Sequence, residues 1–235
     1  MSVVVITGGT GAIGSAIAAE YAKTDDVIIT YNSRKEEAER LCEQLHCKAV
    51  RADVSDWADV SRAAEEILRE YGHVDVLVNN AGISQIKLFT ETTQDDWQRM
   101  MDVNLTGCFN MTQALVKSMI SRKSGAIVNI SSVWGVHGAS CEVAYSAAKA
   151  GMIGMTKALA KELGASGITV NCIAPGVIDS PMNSSHLSEE DLAELCESTP
   201  LMRLGRAEEV AQAVRALSEN RFITGQVLGV DGGFY

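Results

Sequence analysis

Tyr145 and Lys149 stand four residues apart, thirteen positions beyond Ser132. On a helix over 143–163 that spacing puts the phenol and the ammonium on one face. A cation beside a phenol favours phenolate, which brings proton exchange by the tyrosine nearer to neutral pH. Taken alone, Tyr-x-x-x-Lys is a weak motif. A surface lysine whose stem lies over a half-buried tyrosine gives the same spacing.

A second chemistry-bearing stretch opens the chain. Thr7-Gly8-Gly9-Thr10-Gly11-Ala12-Ile13-Gly14 follows the β-branched run at 3–6 and precedes a helix-prone segment at 15–22. A strand, a tight glycine turn and a helix N-terminus together aim backbone N–H groups at an anion. Small residues there let the backbone approach a pyrophosphate. A plain β-to-α turn is the alternative, but the strand–turn–helix context is the one a dinucleotide motif requires.

The elements that must position these residues alternate regularly. Strand-like apolar runs fall at 3–7, 27–31, 48–52, 74–79, 125–130, 167–173 and 226–230. Helical patterns lie between them, at about 13–23, 35–45, 57–71, 96–121, 143–163, 188–197 and 206–218. Thr93 to Asp96 and Ser188 to Asp191 read as helix-start capping boxes. The alternation predicts an α/β fold: a single Rossmann-type domain over 1–235, with a doubly wound parallel sheet of about seven strands and helices on both faces. The irregular stretch at 174–187 follows a strand's carboxyl end and reads as part of a substrate loop, about 174–200.

Composition narrows the function. A chain of 235 residues with 46% apolar and 21% charged residues suits one globular domain. A net charge of −10 argues against nucleic-acid partners. No apolar run reaches the ~18–20 residues of a membrane helix, and no export signal precedes Val3. The expected location is therefore cytoplasmic. The six cysteines at 42, 47, 108, 141, 172 and 196 then predict buried small hydrophobes rather than a disulfide framework. Cys42, His46 and Cys47 are close in sequence but too few for a zinc site, so no metal is expected.

Thr7 to Gly14, Asp53, Asn79-Asn80-Ala81-Gly82, Asn104, Ser132, Tyr145, Lys149 and Pro175-Gly176 occur in order. This set resembles the short-chain dehydrogenase/reductase family, from residue 3 to 233. The resemblance implies a catalytic set of Asn104, Ser132, Tyr145 and Lys149. Tyr145 would donate a proton to a substrate carbonyl as hydride arrives from a nicotinamide. Lys149 would lower the tyrosine's pKa and bind the nicotinamide ribose, and Ser132 would hold the carbonyl oxygen. Asn104, a poor helix former inside a helical run, would belong to a carbonyl-and-water relay; an asparagine packed at a subunit interface is the alternative. Asp53 would hold the adenine amino group, or else Asp53 or Ser55 caps the helix starting near 56–57. Asn80 would serve the cofactor or simply close a strand-end turn.

The cofactor contacts implied are Gly8, Thr10, Gly11, Ala12, Ile13, Gly14, Asn32, Ser33, Arg34, Asp53, Val54, Asn80, Ala81, Gly82, Tyr145, Lys149, Pro175, Gly176, Ile178 and Ser180. Ala12 replaces the family's second glycine, and Ser180 stands where a threonine commonly binds the carboxamide. No acid occurs at 30–35 to grip a ribose 2′-hydroxyl. Arg34, Lys35 and Ser33 suit a 2′-phosphate, which favours NADP(H) over NAD(H). Gly11 weighs the other way. Alternatively, Arg34 and Lys35 start an exposed helix and pair with Glu37 and Glu39.

Within the family, Gly205-Arg206, Glu208-Glu209-Val210 and the ending from Ile223 to Gly233 look like 3-oxoacyl-carrier-protein reductases. Arg122-Lys123 would meet an acidic carrier, although Ser166 stands where relatives place an arginine. Gly138 to Val143 resembles a branch that reduces a 5-aminopentanone on a translation elongation factor. There Glu142 would attract an amine, or it caps the next helix. Trp134, His137, Cys141, Glu142 and Met182 are the expected substrate pocket, with His137 open to a plain wall role. The resemblance also implies a homotetramer through the helices at 96–121 and 143–163 and the C-terminal strand. Met111, Leu115 and Met119 would be its apolar stripe, or ordinary core. A non-catalytic dinucleotide sensor is the reading of another class, and the complete catalytic set speaks against it.

Overall fold

The computed structural model describes residues 1–180 and 188–234, without the side chain of Glu189. Seven strands form one parallel sheet: β1 Val3–Ile6, β2 Asp26–Tyr31, β3 Lys48–Arg51, β4 Val76–Asn79, β5 Gly125–Ile130, β6 Ile168–Pro175 and β7 Val227–Val230. Their order is β3-β2-β1-β4-β5-β6-β7. The chain therefore winds outward from β1 in one direction and from β4 in the other. The switch between them opens a crevice at the strands' carboxyl ends.

β1, β4, β5 and β6 are buried along their whole length, which is why they read as unbroken apolar runs. One face packs on helices α1 (Ala12–Tyr21), α2 (Lys35–Leu45) and α9 (Ala207–Glu219), through Ile17, Tyr21, Ala38, Val210 and Leu217. The other packs on α3 (Trp57–Tyr71), α5 (Gly107–Arg122) and α7 (Val143–Leu163). Each buried Ile, Leu or Val contributes about 1.5–3 kcal/mol. Met111, Leu115 and Met119 are wholly buried in this second layer, so they are core and not an interface stripe. Phe109 and Ile120 are the large apolar side chains that α5 leaves exposed.

The helix expected over 96–121 is interrupted. α4 (Gln94–Met101) leads into a π turn, Asp102–Thr106, before α5 begins. Asn104 donates from Nδ2 to the Met100 carbonyl at 3.0 Å, and a side chain inserted among the backbone carbonyls widens the local turn. The two capping boxes, Thr93 with Asp96 and Ser188 with Asp191 at the start of α8 (Glu189–Ser198), form as expected. The cap of α3 is Asp56, which accepts from the Ala58 and Asp59 amides, so neither Asp53 nor Ser55 has that task. A five-residue helix, α6 (Val133–His137), was not anticipated.

The cysteine expectation needs correcting. Cys42 and Cys47 form a disulfide. His46 takes a left-handed conformation, φ 55°, at the end of α2, and this turns Cys47 back onto the last helical turn. Cys108 and Cys172 are buried as expected, whereas Cys141 and Cys196 are half-buried. Among the described residues no helix is long and apolar enough to cross a membrane.

Candidate active site

The crevice above β1, β4, β5 and β6 has a volume of about 1620 Å³ and is lined by most of the residues singled out in the sequence. Its floor at one end is the glycine turn. Gly8 has φ +64°, and a Cβ there would come within 2.8 Å of Ala81 Cα. A Cβ on Gly14 would lie 2.4 Å from the Gly8 carbonyl oxygen. Only glycine fits either position. Gly11 caps α1 without a side-chain bond and the first turn carries no acid, so the leading N–H groups remain available to an anion. Ala12 opens α1 at the crevice wall and leaves the turn intact.

The neighbouring turn is stitched to this one. The Thr7 hydroxyl accepts from the amides of Asn80 and Ala81, both at 2.9 Å. Asn80 Nδ2 donates to the carbonyls of Thr7 and Gly8 at 3.0 and 3.1 Å. The Asn80 side chain therefore joins two strand ends. Gly82 leaves room beneath it: a Cβ would approach Asn104 Oδ1 to 2.6 Å and Lys149 Nζ to 3.4 Å.

Asn104 is fully buried within one chain, which removes the subunit-interface alternative. Its amide holds Ile83 at both backbone groups, donating to the carbonyl at 3.0 Å and accepting from the N–H at 3.2 Å.

Ser132 follows β5 by two residues and caps α6, its Oγ accepting from the Trp134 amide at 3.2 Å. Ser132 lies close enough to the Tyr145 phenol to lower its pKa. Lys149 Nζ lies 5.6 Å from the centre of the Tyr145 ring and donates to the Ile130 carbonyl at 2.8 Å. Burial pushes the phenol up to about 12; Ser132 opposes this and the Glu142 charge adds to it. Burial also brings the Lys149 ammonium down to about 8. Burial is the largest cause of the rise in the Tyr145 pKa and Lys149 is not among the causes, so the expected acidification of the phenol by the ammonium does not appear. Tyr145 is a proton-loaded phenol at neutral pH, above a lysine that still carries its charge there.

Pro175, Gly176, Ile178 and Ser180 form the opposite wall. Gly176 packs against Asp231, where a Cβ would meet Asp231 Cα at 2.7 Å. At the far end Asn32, Ser33, Arg34, Asp53 and Val54 line the crevice. Asp53 accepts from the Ser55 amide and hydroxyl on one oxygen and from Asn32 Nδ2 on the other. Arg34 pairs with Glu37 at 3.2 Å and Lys35 with Glu39 at 3.6 Å, as the exposed-helix alternative has it. Glu37 itself reaches the crevice wall from the first turn of α2, just beyond the 30–35 stretch that lacks an acid.

Trp134, Cys141 and Glu142 line the remaining end. His137 is exposed and does not line it, because α6 turns it outward. Met182 lies outside the described residues. Glu142 occupies the N-cap position of α7, as the capping alternative has it, without a side-chain hydrogen bond to the helix. Burial raises its carboxyl to about 7. Trp134 meets Phe234 edge-on at 5.7 Å. Ile83, Ser84, Ile86, Gln98, Arg99 and Asp102 also line the crevice. Only their place after Asn79–Gly82, on α4 or at the start of the π turn marks them in the sequence.

A proton-loaded phenol beside a serine, a buried lysine and a glycine-lined anion cradle at the switch point of a parallel sheet define a Rossmann-type oxidoreductase. The chain belongs to the short-chain dehydrogenase family, whose profile matches residues 2–191. Among its relatives is a 3-oxoacyl-acyl-carrier-protein reductase of Thermotoga maritima, 40% identical over 98% of this chain and 96% of the relative. Reductases of the same name from Chlamydia muridarum, 40% identical over 97% and 95%, and Staphylococcus aureus, 39% identical over 98% and 96%, are similar. The chain is an oxidoreductase acting on carbonyl or hydroxyl groups.

Proposed function

We propose that the protein is an NADPH-dependent carbonyl reductase acting on a 3-oxoacyl thioester, with Tyr145 as general acid. The observation that carries this reading is the convergence of Ser132, Tyr145 and Lys149 on the crevice, with Lys149 Nζ 5.6 Å from the centre of the Tyr145 ring. The glycine cradle fits a dinucleotide: Gly8 and Gly14 let the turn pack closely on Ala81 and Asn80, and the start of α1, uncapped and without an acid in its first turn, lines the crevice. Gly8 to Gly14 would hold the pyrophosphate; Asn32, Ser33, Arg34, Asp53 and Val54 the adenosine; Ala81, Gly82, Lys149, Pro175, Gly176, Ile178 and Ser180 the nicotinamide half. When bound, the cofactor supplies a hydride.

Ser132 and Tyr145 orient the carbonyl oxygen. As charge develops there, the Tyr145 proton moves to that oxygen. An alkoxide is far more basic than a phenolate, so a phenol at about 12 still donates downhill. The Lys149 ammonium then offsets the phenolate left behind. Asn104 holds Ile83, and with it the floor under Gly82.

Tyr145→Phe is expected to stop NADPH oxidation with acetoacetyl thioester while dinucleotide binding persists. Turnover equal to wild type would remove the proposed acid. One observation favours a second substrate: among the described residues Glu142 has no ion-pair partner, yet it faces the crevice half-buried. That carboxylate suits an amine-bearing ketone such as a 5-aminopentanone on a protein lysine. Turnover of the modified factor without thioester turnover would establish this reading in place of the first.

The carrier protein named for the relatives is the proposed partner in the first case. Arg122 is already engaged with Asp75 at 3.6 Å, which leaves Lys123 of the basic pair. Exposed Phe109 and Ile120 on α5 and Leu228 on β7 support a homotetramer. The proposed location is cytoplasmic.

A further inference from the structure

We propose that Arg51 sets the preference for a 2′-phosphate through Asn32, as a positioning residue that stands behind the crevice wall. The inference rests on the NADPH reading above. Arg51 ends β3 in register with Tyr31 of β2, so its guanidinium emerges beside the residue after β2. Its Nη2 donates to Asn32 Oδ1 at 3.3 Å. The Asn32 Nδ2 donates to Asp53 Oδ2 at 3.0 Å.

These two neighbours leave Asn32 one orientation. A guanidinium has donors only and a carboxylate acceptors only. Arg51 must therefore take the amide oxygen and Asp53 the amide nitrogen. What Asn32 then offers the adenosine ribose is its second N–H, a donor. Phosphate oxygens are acceptors and match it, with the Arg51 charge behind. A ribose hydroxyl is best held by an acceptor, the part a carboxylate plays in NAD sites. With Arg51 absent, Asn32 is free to turn its oxygen to the ribose.

Arg51 is itself fixed. Its Nη1 pairs with Asp59 Oδ2 at 2.7 Å. Asp59 is only 9% exposed and also accepts from Arg62 at 2.6 Å and from the Asp53 amide at 2.7 Å. One carboxylate thus anchors both the arginine and the turn that bears Asp53. Arg34, the cation nearest in sequence to the ribose site, is by contrast paired with Glu37.

The test is calorimetric binding of adenosine 2′,5′-bisphosphate and of 5′-AMP, which needs no turnover. Wild type is expected to prefer the bisphosphate by about tenfold or more, and Arg51→Leu to bring the ratio to about unity with 5′-AMP binding unchanged. Arg51→Lys keeps a donor and a charge and is expected to restore most of the preference, which guards against a folding defect. Asn32→Leu should lose the preference as well, and the double variant should be no worse than Asn32→Leu alone. Equal weakening of both ligands in Arg51→Leu, or additive losses in the double variant, would overturn the inference. A preference that survives in Arg51→Leu overturns it alone; a wild type with no preference overturns the NADPH reading along with it.

Discussion

The two ends of the crevice are built in different ways. At the proton-donating end Asn104 and Lys149 are 0% and 3% exposed. Their partners are backbone carbonyls, those of Ile83 and Met100 for Asn104 and that of Ile130 in β5 for Lys149. At the adenosine end Arg34 and Glu37 are about half exposed and bonded to each other. Order there comes from side chains on side chains, with Asp59 as the one buried anchor. Buried groups tied to backbone lose a great deal when one is removed, and exposed pairs lose little. Chemistry is therefore expected to be intolerant of change and cofactor choice tunable.

Substitutions at the two ends break or sharpen that contrast. The largest effect is expected from Tyr145→Phe, a fall in kcat of about 10²–10⁴-fold with an unchanged dissociation constant for the dinucleotide. Next comes Asn104→Ala, which leaves the Ile83 amide and carbonyl without partners. A loss of about 2–4 kcal/mol in chemical denaturation is expected, and a value under 1 would show that water replaces the amide at little cost.

A smaller effect is expected from pH. The Lys149 ammonium, brought down to about 8, is charged below that value and neutral above it. Turnover should decline as pH rises through about 8. Because the folded pKa lies below the ordinary lysine value of 10.5, the folded state binds fewer protons between the two. Stability from this group accordingly rises from pH 8 to 10.5, so loss of rate there is not unfolding.

Glu142→Gln reads the opposite sign. The raised carboxyl makes the folded state bind more protons between pH 4.5 and about 7, and stability falls as pH rises through that window. The variant should be more stable than wild type at pH 8, by on the order of 1 kcal/mol once solvent screening is allowed for, and no different near pH 4. Smallest of all, Arg34→Gln should shift stability by under about 0.5 kcal/mol, as exposed ion pairs do.

Legibility in the sequence follows the same division. The buried strands announce themselves, since β1, β5 and β6 have no polar face to hide, and a parallel sheet with its crevice follows from their spacing. The helix break at 102–106 does not, because it depends on Asn104 finding Met100 and Ile83 in three dimensions. The disulfide was missed because a left-handed residue at 46 is histidine rather than glycine. The sign of the Tyr145 shift escaped too: residue spacing reports which charge is near, while burial, which dominates, belongs to the folded chain.

One hydroxyl ties the scheme together. Thr7 splices the end of β1 to the start of the segment carrying Gly82, and that segment rests on Asn104 and Lys149. The distance from phosphate cradle to proton donor is therefore ruled by the fixed spacing of adjacent strands. Loops at the mouth can be exchanged for other clienteles without resetting that ruler.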